Sequence, residues 1–273
     1  MTTSFEISWY GSHQGEEPPI SGTKGSGTIF FCRCNLKCVY CQNWQISQKP
    51  VNCKKITQDG LVGIFFKLQD DGCHNINLVT PTIWSVQLIE VLKKAKNKGL
   101  IIPIVWNSNA YEQAEILKKL EGLVDIYLPD YKYSYDNLAI KYSNAPDYSQ
   151  IAKEAIKEMY RQVGNLRVDK KGIGERGLII RHLILPKQLE NTRKCLEFIR
   201  SISKNVYLSL MTQYNPLYKA SEYPEINRSL SEKEFKTVQK WVEDLNFENG
   251  WIQEFDKTVN CLVPDFTKDK PFQ

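Results

Sequence analysis

The chain has 273 residues, 42% hydrophobic and 25% charged, with eight cysteines and a formal net charge of +5. This composition suits a globular protein that can fill a core, and it excludes a disulfide scaffold or a disordered chain. The mild positive charge sits largely on predicted helix faces (Lys93, Lys94, Lys96 and Lys98, then Lys118 and Lys119) and is too sparse for a nucleic-acid footprint.

Residues 1–26 read as a coil-rich N-terminal arm, with no basic start followed by an apolar run and hence no signal peptide. From residue 27 short β-branched or aromatic runs alternate with amphipathic stretches. Strands are predicted at 27–32, 75–80, 101–106, 125–128, 177–185 and 206–211. They are nearly continuously apolar, as strands buried on both faces tend to be. Helices are predicted at 57–70, 84–98, 111–121, 147–163, 191–203 and 231–246, with Thr57, Asp147 and Ser231 as N-caps and Gly99 as a C-cap. The glycine-rich stretch 170–177 reads as a loop before the fifth strand, and 248–273 as a coil-rich C-terminal extension. Six strand–helix units spanning 27–247 within a single domain predict an α/β fold, a partial (β/α)6 TIM-like barrel. A doubly wound open sheet is the alternative, because element order alone does not decide closure. No apolar stretch approaches the ~18 residues needed to cross a bilayer. A soluble cytoplasmic protein with reduced thiols is expected.

Cys34, Cys38 and Cys41 form a C-x3-C-x2-C loop directly after the first predicted strand. Three thiolates from one loop suit a [4Fe–4S] cluster that keeps one iron open to a cosubstrate. A zinc site is the alternative, with Cys32 as a fourth ligand, although no second cysteine pair and no histidine knuckle accompany it. Cys53, Cys73, Cys195 and Cys261 are scattered singly and read, like Cys32, as small buried hydrophobes.

Ligands of parallel α/β folds gather at the carboxyl ends of the strands. Polar residues stand there on five successive strands: Thr80 and Thr82, Asn107 to Asn109, Asp130 and Lys132, Arg181 and His182, and Thr212 to Asn215. A charged Asp-x-Lys pair on a buried strand costs desolvation unless it meets a ligand or partner, which favours a site role.

The segment from Gly25 to Asn43, with Tyr40 before the last cysteine, resembles radical S-adenosylmethionine (SAM) enzymes. Together with Gly15–Gly22, Ile76–Thr82, Asp125–Lys132, Arg181–Pro186 and Gln213–Pro216, it resembles more narrowly the homologues of pyruvate formate-lyase activating enzyme. The resemblance implies a partial barrel that binds one [4Fe–4S] cluster through Cys34, Cys38 and Cys41. It implies reductive cleavage of SAM and hydrogen abstraction from a substrate. The partners it implies are a glycyl radical enzyme and an electron donor such as flavodoxin or ferredoxin, with no nucleic acid and no membrane. Tyr40 matches the aromatic residue near the adenine. Asn107, Ser108, Asp130, Lys132 and Arg181 match positions around SAM or the rim of the site. Two departures stand out. Thr80 and Thr82 replace the usual Gly-Gly-Glu-Pro that meets the SAM amino group, and Cys32-Arg33 replaces a small residue and glycine. Other readings are a radical SAM enzyme acting on a small molecule or another protein, or a non-catalytic zinc or electron-transfer protein. The arm segments Ser12–Glu17 and Gly22–Gly25 either approach the substrate or plug the barrel bottom.

Overall fold

The protein is described by a computed structural model covering residues 4–255 and 263–272. Strand β1 (Ser4–His13) buries Phe5 and Ile7 while Glu6 and Ser8 lie on its other, half-buried face. After a single turn, α1 (Pro18–Ser21), the chain returns as β2 (Ser26–Phe31), antiparallel to β1 and buried throughout. The cysteine loop and α2 (Trp44–Ser47) lead to β3 (Lys54–Thr57), which pairs with the other edge of β1 and ends the sheet with exposed Lys54 and Lys55. The βα units then follow: α3 (Gln58–Asp70), β4 (Ile76–Val79), α4 (Ser85–Asn97), β5 (Ile104–Ser108), α5 (Ala114–Lys118) and β6 (Ile126–Pro129). Next come α6 (Asp136–Ser143), α7 (Tyr148–Val163), β7 (Arg167–Val168), β8 (Gly174–Leu183), α8 (Leu189–Ile202), β9 (Tyr207–Met211), α9 (Glu232–Asp244) and β10 (Asn249–Ile252).

The sheet order is β10-β9-β8-β6-β5-β4-β2-β1-β3, with β7 attached to β8. From β2 to β10 every neighbouring pair is parallel, and the order follows the sequence without reversal. A doubly wound sheet reverses its order at a switch point, so this progression is that of an incomplete barrel. Among the described residues no ladder joins β10 to β3, and the sheet stays open. No described helix is long and apolar enough to cross a membrane.

Several expectations are corrected. The N-terminal arm is not coil-rich, because β1 is a full strand of the sheet, and the C-terminal extension carries a seventh parallel strand, β10. The helix expected at 111–121 shrinks to Ala114–Lys118. The stretch 170–177 is only in part a loop: 170–173 turn between the paired strands β7 and β8, and 174–177 already belong to β8. Thr57 and Ser231 cap their helices as expected, Ser231 in a capping box with Glu234. Asp147 makes no side-chain cap, and the Ser149 N–H instead donates to Asp136 Oδ1 at 2.8 Å. Cys32 and Cys53 are not free thiols: they form a disulfide across 21 residues. Cys73 and Cys195 are free and buried as expected, whereas Cys261 lies outside the described residues.

The arm also closes the barrel from below. Ile20 of α1 is fully buried among Val105, Ile126, Leu128, Leu166 and Ile179. Its carbonyl accepts a 2.7 Å hydrogen bond from Asn75 Nδ2, just before β4.

Candidate active site at the carboxyl ends of the strands

The loop after β2 is held rigidly. Arg33 takes a left-handed backbone (φ 70°) and donates through Nε to Glu6 Oε2 at 2.7 Å. The N–H groups of Lys37 and Val39 donate to the carbonyls of Ser143 and Tyr142 at 2.9 and 2.8 Å. Asn35 Nδ2 donates to the Tyr111 carbonyl at 2.8 Å and its Oδ1 accepts from Asn109 Nδ2 at 2.8 Å. Four residues of the loop are thus tied to three distant segments before any ligand arrives.

All three sulfurs of the motif face one cavity of about 360 Å³. Cys34 Sγ accepts from Leu36 N and Asn109 Nδ2, both at 3.4 Å, Cys38 Sγ from Ser143 Oγ at 3.0 Å, and Cys41 Sγ lies 3.3 Å from Ser47 Oγ. The hydroxyls of Tyr40 and Tyr133 meet at 2.6 Å, and that of Tyr133 meets Ser143 Oγ at 2.7 Å, so a hydrogen-bonded chain runs from Tyr40 to Cys38. Burial pushes the Cys34 thiol up to about 11 and Cys41 up to about 12, and also raises Cys38. A bound metal centre favours the thiolate form of such cysteines. Among the described residues no set of three His, Cys, Asp or Glu side chains converges to hold one metal ion. A cube spreads its thiolates over separate irons, a geometry that three cysteines of one loop can serve. The donor set fits the cube.

Opposite the cysteines stands a buried ionic group. Arg181 on β8 donates from Nε to Asp130 Oδ1 at 2.7 Å, from Nη2 to Asn107 Oδ1, and from Nη1 to Glu16 Oε2 at 3.3 Å. Lys132 Nζ donates to Asp130 Oδ2 at 2.8 Å. Burial alone would raise the Asp130 carboxyl, but Arg181 and then Lys132 outweigh it and hold it below its ordinary value. Glu16 is pushed up to about 7, chiefly by burial, with Arg181 opposing and Glu17 adding to the rise. Lys132 also opposes the burial of Cys34 and Cys38, which places its charge within reach of both thiols.

The structure therefore brings Cys34, Cys38, Cys41, Tyr40, Thr80, Asn107, Ser108, Asp130, Lys132 and Arg181 to one cavity. Thr80 holds a left-handed backbone (φ 59°), unusual for a β-branched residue, and its N–H donates to the Asn107 carbonyl at 2.9 Å. Thr82 is not among the lining residues and stands beside the buried Glu112. Ser108 donates to that same carboxylate at 2.6 Å, which occupies its hydroxyl proton. Glu16 and Glu17 line the floor from the arm, and Trp251 and Gln253 from β10 and the residue after it. None of these four is among the cofactor residues expected from sequence, and the arm segment that holds the two glutamates is expected there only to approach the substrate or plug the barrel bottom.

The sequence profile of the radical SAM superfamily matches residues 28–168, just over half of the chain. The chain belongs to the radical SAM superfamily. Its members use a [4Fe–4S] cluster and SAM. An uncharacterized protein of Methanocaldococcus jannaschii is 35% identical over 245 residues, covering 86% of this chain, which spans 66% of that relative's length. Two solved structures share the fold. SuiB of Streptococcus suis, bound to SAM, has a TM-score of 0.53 at 12% identity, over 81% of this chain and 48% of SuiB. The FeFe-hydrogenase maturase HydG of Carboxydothermus hydrogenoformans has a TM-score of 0.54 at 12% identity, over 81% of this chain and 50% of its own.

Proposed function

We propose that Cys34, Cys38 and Cys41 hold the [4Fe–4S] cluster, and that this chain abstracts hydrogen from a substrate in the cavity that they share with Asp130, Lys132 and Arg181. The observation that carries the reading is the meeting of one buried and two half-buried thiols with a largely buried ionic group on one cavity at the strands' carboxyl ends. When bound, the reduced cluster and SAM supply reductive cleavage of the sulfonium and a hydrogen-abstracting 5′-deoxyadenosyl radical. The chain supplies position and dryness. Lys132 offsets the charge of Cys34 and Cys38, while Asp130 and Asn107, both fixed by Arg181, present acceptors to SAM. Tyr40 lends its ring to the adenine while its hydroxyl stays bound to Tyr133. Thr80 presents its side chain at the end of β4, where the SAM amino group is received.

The finer reading is activation of a glycyl radical enzyme, in the cytoplasm, with electrons from a flavodoxin- or ferredoxin-class donor. Its support is the motif resemblance along the chain. Anaerobic reconstitution to about four irons per chain, then dithionite reduction with SAM, tests the enzyme reading. Methionine and 5′-deoxyadenosine are expected, and their absence from iron-loaded protein sinks it. Transfer of the radical to a candidate glycyl radical enzyme, read by magnetic resonance, tests the finer one.

A further inference from the structure

Among the described residues, Glu17 is the charged group on the cavity wall whose carboxylate lacks a close partner. Its side chain is only 8% exposed, and Oε2 is buried with no hydrogen bond. Oε1 comes no closer to Arg181 than 4.0 Å, and the Nε concerned already donates to Asp130. The Nη2 and Nη1 groups of Arg181 donate to Asn107 and Glu16. Three carboxylates (Glu16, Glu17 and Asp130) face two cations, Arg181 and Lys132, so the group carries one anionic charge in excess when all are ionised. Gln253, across the same cavity wall, likewise buries an unpartnered Oε1. What the floor lacks is donors. A buried acceptor left without one costs on the order of 1–3 kcal/mol, more if charged, and a native fold retains such a group where a ligand completes it.

We propose that the substrate presents a cationic nitrogen, an ammonium or guanidinium, to Glu17 at the floor of the cavity. The inference rests on the hydrogen-abstraction reading above and names the chemical class of its substrate. Glu17 sits on the arm that closes the barrel, where Glu16 Oε1 accepts from Asn77 Nδ2 at 3.0 Å inside β4. A cation anchored there points the rest of its molecule up toward the cysteines and SAM. Two sources share this chemistry: a free small amine and a basic side chain beside the reacting residue of a peptide.

Binding of matched pairs to iron-loaded protein with SAM present, followed by ligand-observed magnetic resonance, tests the proposal. Agmatine is compared with its neutral ureido counterpart, and a blocked Ala-Gly-Arg peptide with the same peptide carrying citrulline. Wild type should prefer at least one cation by about tenfold, and the favoured pair identifies the source. Glu17→Gln should reduce that preference to within about twofold, with iron content and melting temperature checking that it folds. Glu17→Asp, which keeps the charge, should retain a preference, and it decides the matter if Glu17→Gln loses its iron. No preference in either pair overturns the proposal, as does one that survives Glu17→Gln or one that vanishes in a folded Glu17→Asp. Reductive SAM cleavage by wild type is measured in parallel. Its absence sinks the enzyme reading and leaves the binding result standing, whereas cleavage without cation preference sinks the subsite alone.

Discussion

Arg181 and Asp130 face each other as a bridge between β8 and β6, with Nε 2.7 Å from Oδ1 and both side chains less than one-fifth exposed. One guanidinium thereby organises acids from the N-terminal arm and the middle of the chain, since Glu16 of the arm joins the same fork.

Removing that guanidinium leaves Glu16 without a cation and Asp130 with Lys132 alone. Arg181→Met should destabilise the cluster-free protein by about 3–5 kcal/mol, the range for a buried pair broken on one side. Urea unfolding measures it. Glu16→Gln added to Arg181→Met should recover part of the loss, because the two residues interact directly and their effects are not additive. Additive losses in the double variant would place Glu16 outside the group.

Cys34→Ala, Cys38→Ala and Cys41→Ala should each lose stable iron after anaerobic reconstitution, and Cys32→Ala should retain it. The first three face the cavity, whereas Cys32 is fully buried and bonded to Cys53. Iron and sulfide counts decide, and a zinc-loaded, iron-free protein would reverse the assignment.

The six central strands were legible because each contains a short run rich in apolar, β-branched or aromatic residues, as in Leu178-Ile179-Ile180 of β8. Strand β10 was not: Asn249-Gly250-Trp251-Ile252 is short, half-exposed and interrupted by a glycine at φ 130°, where a Cβ would meet the Leu208 backbone at 2.1 Å. Only contact with β9 makes it a strand. The cysteine motif was legible from spacing alone. Glu16 was hidden because its partner Arg181 lies 165 residues away, and a pair of glutamates before prolines looks like any surface turn. The Cys32–Cys53 pairing was hidden in the same way, since spacing does not name a partner. His182 shows the reverse case, a polar strand-end residue that faces away from the cavity.

His182 is fully buried, donating from Nδ1 to the Tyr131 carbonyl at 2.7 Å and accepting at Nε2 from Thr192 Oγ1 at 3.0 Å. Burial lowers it from 6.5 to about 4. A depressed value means that stability is intact above pH 6.5 and is lost as pH falls toward 4, because the unfolded chain takes up the proton first. The loss amounts to about 3 kcal/mol. His182→Gln should flatten that part of the stability–pH curve relative to wild type, and identical slopes would discount it.

The Cys32–Cys53 bridge closes a loop that contains the whole cysteine motif. Closing a loop of this size contributes about 3 kcal/mol. Cluster-free wild type should lose about that much on adding a thiol reductant, while Cys53→Ser should not respond. A wild type indifferent to reductant would show the bridge to be energetically silent.

The sheet ends at β3, and that rim has a bearing on solubility. An unpaired rim of backbone N–H and carbonyl groups is a template for another chain's strand. Here Lys54 and Lys55 project from it into solvent, so a second copy approaching rim to rim would bring like charges together before any ladder could form. An open barrel thus keeps its unclosed margin from becoming a seed for aggregation.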